Sequence, residues 1–440
     1  MTTLLSTRRR RSVPLAIGLL ALCTATACND FLSAENPGAV EEPSVNNPAY
    51  AGLIANGPIY GFQLAYTDMS YWNAQFTDEL YNRATFVEEG QIDRRELFSD
   101  MTYINAFIYA PMQRARFLGE DASRRLKTIL GDTASRDLRI ARALAYEGYS
   151  YIALGETMCT TPINVGKPKT TPEMMSDAIV RFQEAITTAQ AARTFLAAQV
   201  PANVNAIAAA DSVLNFARVG AARAALNRND RPQAIAFASL VPADFVFRAF
   251  YSDNTTGQRN RVFERLTLSS NAFLQNTPFL AMAGDPRVPR ITTPASRANT
   301  PLSPPSFSTF NNTPAGADFA PIMSMRLASG LEAQYVIAEA QGPTSATLAF
   351  VNLRRAAGLQ APVSLTGNEL MAELRDQRSR DFYLDGHRLG DLRRYKEYYG
   401  VDLFPKGPYP GSTSGQVYNE TVTCWPLPTN EINGNPNVGG

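Results

Sequence analysis

The chain has 440 residues, 45% of them hydrophobic and 18% charged, with 41 basic residues against 40 acidic ones and a single histidine. Without a basic excess the chain lacks the charged face that nucleic acid requires. One histidine leaves a His-based triad or a multi-histidine metal site without its groups, so no catalytic residue, metal or cofactor is expected.

The first elements are export signals. Arginines fill residues 8–11, an apolar run covers residues 13–23, and Ala25-Thr26-Ala27 precedes Cys28. A basic start, a short apolar stretch and small residues at a cut site make a secretory signal peptide over residues 1–27. The apolar run falls short of the ~20 residues that span a bilayer. The Ala-Thr-Ala-Cys string resembles the lipobox of bacterial lipoproteins, in which the cysteine becomes the lipidated first residue. The alternative is an ordinary signal cut near Ala27, with Cys28 incidental. Loss of residues 1–27 takes the basic count from 41 to 37 against 40 acidic residues, a net charge of −3.

Helical periodicity dominates the chain beyond residue 98. Ile104, Ile108, Met112, Ala115, Leu118, Ala122, Leu126 and Ile129 trace one helix face through residues 99–131. Pro111 should kink or split that helix. Residues 139–156 supply another. A third helix starts near Pro172 with Thr171 as its N-cap. A fourth runs from about Ala206, breaks at residues 227–230, and is followed by a short helix from Pro232 to Leu240. Helix, short turn and helix, with alanines on the contact face, predict tetratricopeptide-like hairpins, although the strict repeat consensus is absent. Residues 244–250 and 265–268 read as strands. Residues 292–318, crowded with Pro, Ser, Thr, Asn and Gly, read as a long irregular segment available for ligand or for a partner. Helix returns at residues 331–340, 346–357 and 369–383, and the tail after Val401 reads as extended loop.

With Cys23 in the signal and Cys28 at its boundary, Cys159 and Cys424 remain. Outside the cytoplasm they are candidates for a disulfide; two unconnected buried thiols are the alternative.

Four C-terminal stretches carry a family resemblance: LEAQYVIAEA at residues 331–340, LRRAAGL at 353–359, RSRDFYLDGHRLGDLRRY at 378–395 and LPTNEINGNPN at 427–437. With NDFL after Cys28, they resemble the SusD/RagB family in motif and order. Gln377, Asp381 and Asp385 stand where the family carries Glu, Ala356 where it carries Arg, and Tyr395 where it carries Trp. The resemblance implies a mainly α fold of tetratricopeptide-like hairpins with loop-rich and small β insertions. Residues 28–440 would form a single domain: an N-terminal helical part at 28–242, a loop- and β-rich insertion at 243–330, and C-terminal helices and tail at 331–440. It further implies a lipid-anchored, surface-exposed outer-membrane protein that captures an oligosaccharide or other nutrient. Its partner would be a SusC-like TonB-dependent transporter. The charged residues Arg388, Asp391, Arg393 and Arg394 read as structural, pairing with Asp381 and Asp385 or with neighbouring loops.

The densest aromatic and polar cluster lies at residues 66–83. In a ligand-binding reading, Tyr71, Trp72 and Tyr81 form a stacking platform, while Asn73, Asp78 and Arg83 hydrogen-bond the ligand. The alternative is that these aromatics pack between helices. Trp425 reads as packing the tail. Asp78 and Glu79 could suggest paired carboxylates of a hydrolase, but adjacent residues on a helix diverge. A lipid-anchored scaffold for another protein is the other non-enzymatic reading.

Overall fold

The computed structural model describes residues 46–438, except 270, 283, 294–296, 309–315 and 413. The signal segment, Cys28 and the NDFL match lie outside the described residues. The expected hairpins are present. α1 (Ala51–Phe76), a short α2 (Val87–Asp93), α3 (Ala110–Leu130), α4 (Leu138–Thr157), α5 (Thr171–Ala197), α6 (Val204–Asn227) and α7 (Arg231–Ala238) follow in order. α1 packs on α3, α3 on α4, α4 on α5, α5 on α6 and α6 on α7. That is the neighbour-on-neighbour stacking of paired helices. Residues 48–440 form one compact unit.

α4 is the spine, with residues 143–157 all buried. Small residues let its neighbours close in. Phe182 of α5 sits between Gly148 of α4 and Gly220 of α6, where an added Cβ would come within 2.8 and 2.3 Å of its ring. Polar caps set the helix starts: Asp137 accepts from Arg139 N, Asn203 from Ala206 N and Asp230 from Gln233 N. α5 is capped one residue earlier than expected. Thr170 has extended backbone and closes a capping box with Glu173, while the Thr171 hydroxyl donates to the Gly155 carbonyl at 2.8 Å. Pro111 does not split its stretch into two helices: residues 102–130 are helical throughout, a π-helix, Ile104–Tyr109, running directly into α3, whose first turn holds the proline.

Small antiparallel sheets decorate the helices. β1 (Tyr81–Asn82) pairs with β5 (Ala272–Phe273), and β2 (Thr161–Pro162) with β3 (Pro168–Lys169). β4 (Val246–Ala249) and β6 (Phe307–Ser308) flank β7 (Ser324–Ser329), which is buried throughout. Residues 265–268 are not a strand. Asn260 caps a helical turn at Val262 N, and the chain continues as a π-helix, Glu264–Leu268. Four residues of alternation also fit one helical turn, so periodicity could not separate the two.

The C-terminal part comprises α8 (Gly330–Gln341), α9 (Ser345–Ala357), α10 (Gly367–Asp381), α11 (Arg388–Tyr399) and α12 (Thr429–Gly434). The last is a helix inside the tail expected to be loop. Cys159 and Cys424 are bonded, with Cα atoms 5.0 Å apart. Beside the bond, Cys159 N donates to the Trp425 carbonyl and Trp425 N to the Thr157 carbonyl, both at 2.9 Å. Trp425 is fully buried against Phe76, centroid to centroid 5.5 Å.

The charged residues of the C-terminal motif are structural but differently paired. Leu384 (φ 60°) and Gly386 (φ 87°) turn the chain between α10 and α11, so Asp381 and Asp385 do not share a helix with the later arginines. Arg388 instead grips Asp78 at the far end of α1, at 2.7 and 2.5 Å. Arg378 and Arg394 share Asp391, and Arg394 also holds Glu339. Asp381 is taken by Arg354 and the Tyr335 hydroxyl, and Asp385 by Arg326 and His387.

Candidate functional site

The site begins where α1 ends. Its last turns are pinned to the turn before α11: Arg388 holds Asp78, Leu384 N donates to Glu79 at 2.8 Å, and the Tyr66 hydroxyl donates to the Asp385 carbonyl at 2.8 Å. Gly386 must be glycine here, because a Cβ would lie 2.5 Å from Ser70 Oγ and its φ is left-handed. The chain leaving this anchor forms β1, and the tail loop at residues 403–420 packs on it.

Tyrosines make the contact. Tyr81 faces Phe273 across the ribbon, edge to face at 5.6 Å, and stacks on Tyr409 at 5.2 Å with an interplanar angle of 17°. Its hydroxyl donates to the Pro410 carbonyl. Tyr409 meets Tyr418 edge-on at 5.3 Å and donates its hydroxyl to Asp93 Oδ2 at 2.6 Å. Beneath them Arg95, 0% exposed, donates to the carbonyls of Pro405 (2.5 Å) and Asn419 (3.1 Å) and lies over the rings of Phe404 and Tyr418. That buried guanidinium clamps the tail loop onto the end of α2.

The resulting cleft has a volume of about 280 Å³. Tyr81, Tyr418 and the prolines 278, 405, 408 and 410 give it flat apolar surface, while Asp78, Asp93, Asn276, Thr277 and Lys406 give it polar groups. Burial lifts the Asp93 carboxyl to about 7, against the opposing hydrogen bonds from Tyr409 and Asn82 N. Apolar faces ringed by convergent polar groups can stack a ring and hydrogen-bond its substituents.

Of the residues singled out from sequence, Asp78 and Tyr81 line this cleft, and Arg83 is exposed beside it in a separate depression with Phe86 and Asn271. Tyr71, Trp72 and Asn73 lie in the core. Trp72, fully buried, packs against Tyr71, Tyr103 and Phe107, with Arg265 over its ring at 4.9 Å. Asn73 Nδ2 donates to Thr157 Oγ1 at 2.9 Å. Tyr71, Trp72 and Asn73 are therefore core residues and line none of this cleft. Sequence reasoning missed Asp93, Tyr409 and Tyr418; the KGPYP string at residues 406–410, an aromatic among prolines and glycine, was the available signal. The described parts of residues 292–318 pair locally, as Arg297 does with Asp318, and line none of this cleft.

A second cavity, about 320 Å³, lies between α11 and the start of α5. Several of its polar groups are already engaged. Arg393 Nη1 donates to the Gly155, Glu156 and Met158 carbonyls that end α4, and burial lowers the guanidinium to about 10. Glu173 occupies the α5 N-terminus through its capping box, and Lys396 pairs with Asp402. His387, 1% exposed, is enclosed by Asp385 and Glu332. Among the described residues no cluster of three metal-ligating side chains occurs, and no helix is long and apolar enough to cross a membrane.

A stack of paired helices, with an aromatic cleft carried on connecting segments and tail, defines a tetratricopeptide-like scaffold. Residues 325–439 match the SusD family model. Across the chain, the fold matches a SusD superfamily protein from Bacteroides fragilis, with a TM-score of 0.61 at 13% identity over 90% of this chain and 99% of that one. A SusD superfamily protein from Bacteroides thetaiotaomicron gives 0.61 at 12% over 89% and 99%. A laminarin-binding SusD-like protein gives 0.59 at 12% over 88% and 97%. No curated protein matches the sequence. Residues 325–439 thus carry the match to the SusD family, and the chain as a whole has the fold of SusD superfamily proteins.

Proposed function

We propose that this protein is a non-catalytic, glycan-capturing lipoprotein of the outer membrane that passes its cargo to a SusC-like TonB-dependent transporter. In this reading residues 1–27 are the signal peptide, Cys28 carries the acyl anchor, and residues 28–440 form the mature domain outside the cell. More than one acyl chain on Cys28 would give the stable anchoring that a single chain does not. The observation that carries the reading is the tyrosine- and proline-walled cleft on a SusD-family scaffold. A similar fold in a laminarin-binding SusD-like protein supports carbohydrate as the cargo. The carboxylates lining the cleft are engaged, Asp78 by Arg388 and Asp93 by Asn82 N and the Tyr409 hydroxyl, which favours holding a ligand over cleaving it.

The test is affinity electrophoresis of the mature protein through gels containing laminarin, starch, xylan or mannan, with the eluted polymer sized afterwards. Retardation by at least one polymer, left intact, and co-purification of a β-barrel from native membranes are expected. Free migration in every gel would sink the capture role, and shortened polymer would make the protein an enzyme.

A further inference from the structure

A depression of about 350 Å³ lies between α10, the start of α11, the tail at Val401 and Leu403, and a short helical turn, Pro278–Ala281. Pro278, Phe279, Met282, Val401 and Leu403 give it an apolar wall, and Arg375 reaches it from α10.

The charge on Arg375 is uncompensated. Its guanidinium lies over the rings of Tyr395 and Tyr399, at 5.2 and 5.4 Å, and its Nε is buried without a hydrogen-bond partner. The neighbouring carboxylates are committed elsewhere: Asp376 to Arg380, Asp78 to Arg388, Glu373 to Arg355, and Asp391 to Arg378 and Arg394. Arg375 pairs with none of them among the described residues. Aromatic faces attract a cation but accept none of its in-plane N–H groups. A guanidinium held by its faces, with donors to spare, is arranged to take a carboxylate edge-on through two parallel hydrogen bonds.

We propose that this depression is a binding site for a small monocarboxylate with an apolar body, the carboxylate on Arg375 and the body against Phe279, Met282 and Leu403. The inference stands apart from the capture reading, since it uses neither Tyr81 nor the tail tyrosines.

The charge count argues for one negative charge. With Asp376 paired to Arg380 and Asp78 to Arg388, Arg375 is the surplus cation, and one carboxylate neutralises it. The second charge of a phosphate ester would face Asp78 and Asp376 across a small cavity. Wall chemistry argues for a hydrocarbon body. Phe279, Met282, Val401 and Leu403 offer no hydrogen bonds, and the Ser379 hydroxyl is spent on the Asp376 carbonyl at 2.7 Å. Hydroxyls ringing a sugar would lose water there without replacement.

The experiment is calorimetric titration of the mature protein, near neutral pH, with hydrocinnamate, its neutral amide, phenyl phosphate, and a peptide with a free C-terminal Phe. Hydrocinnamate should bind, and hydrocinnamide about tenfold or more weakly, having lost the charge and one acceptor. Arg375→Gln should weaken the acid about tenfold and leave the amide unchanged. Arg375→Lys, which keeps the charge without the fork, should fall between the two. Because Arg375 also packs on Tyr395 and Tyr399, a second variant leaves it in place. Ala372 is an exposed lining residue, and Ala372→Trp should block the acid without moving the melting temperature.

Equal affinity for acid and amide, unchanged affinity in Arg375→Gln, or silence of both titrations at millimolar concentration would overturn the proposal. So would tighter binding of phenyl phosphate, which would make the site one for dianions. Tighter binding of the peptide would overturn it as well, making the depression a docking point for a partner's chain end. Retardation in polymer gels depends on none of these results, so failure here and failure of the capture reading read out separately.

Discussion

The Cys159–Cys424 bond offers the sharpest measure of what holds the tail. The two residues are 265 positions apart, so the bond closes a loop of about two-thirds of the unit at residues 48–440. In the chain-entropy model, a closed loop of that length removes about 19 cal/mol/K from the denatured ensemble, or about 5–6 kcal/mol at 25 °C. Residual structure in the denatured chain lowers the figure, so about 3–5 kcal/mol is expected. Replacing both residues, Cys159→Ser with Cys424→Ser, should lower the urea midpoint and raise the slope of unfolding, because the freed denatured chain exposes more surface.

Native-state hydrogen exchange adds a local readout. The amides of Cys159 and Trp425, which donate to the Trp425 and Thr157 carbonyls, should exchange faster in the variant, and the core amides of α4 and α5 should accelerate only by the global loss of stability. An unaltered midpoint and slope would refute the reasoning. It would mean that the buried Trp425, packed against Phe76, and the Arg95 clamp hold the tail without covalent help.

Other substitutions probe the packing and the charged core. Gly220→Ala places a methyl 2.3 Å from a ring that Gly148 already confines on its other side, so thermal unfolding should register a loss of about 1–3 kcal/mol, partly recovered by adding Phe182→Leu. Asp78→Ala strands the buried Arg388 guanidinium and should cost about 3–5 kcal/mol, whereas the apolar pair Asp78→Leu with Arg388→Met should restore much of it in a double-mutant cycle. His387 has a raised pKa: burial and Arg223 lower it, and the carboxylates of Asp385 and Glu332 more than reverse them. Its stabilisation is therefore complete below the unfolded value near ~6.5 and fades as pH rises through the folded value. The gap in urea midpoint between the native chain and His387→Gln should narrow from pH 6 to pH 9; a constant gap would exclude a buried imidazolium.

The helical body was legible because each long helix repeats one signal. Ile104, Ile108, Met112, Ala115, Ala122 and Leu126 all reach the core along the face that their spacing marks. Ends and short elements were less so. The π-helix at Glu264–Leu268 and the cap at Thr170 depend on single local contacts, from Asn260 and Glu173, that compete closely with alternatives one residue away. The motif arginines could be read as structural, but their partners could not: Arg388 reaches Asp78 across 310 positions, and nothing in helical spacing reports that.

The site divides along the same line. Aromatic density is visible in a sequence, whereas the direction it faces is not. The second half of α1 is buried all round, residues 69–76 without exception, because α3 covers one side, the turn before α11 a second and the tail a third. On such a helix periodicity says nothing about facing, so Trp72 could be read as a platform or as packing between helices, and it is packing. The stacked pair at the cleft is Tyr81, which lines it, and a partner in the tail, Tyr409, that helical spacing cannot connect. Each half is also held by a different buried device: the Asp78–Arg388 pair fixes β1, and Arg95 fixes the loop at residues 403–420. The C-terminal stretch that resembles the SusD family supplies the first device through Arg388 and touches the cleft mainly through it. The tail segment that supplies Tyr409 and Tyr418 supplies the acceptors of the second, the carbonyls of Pro405 and Asn419. The two walls of the cleft are therefore held by separate buried contacts, and neither contact is visible in helical spacing.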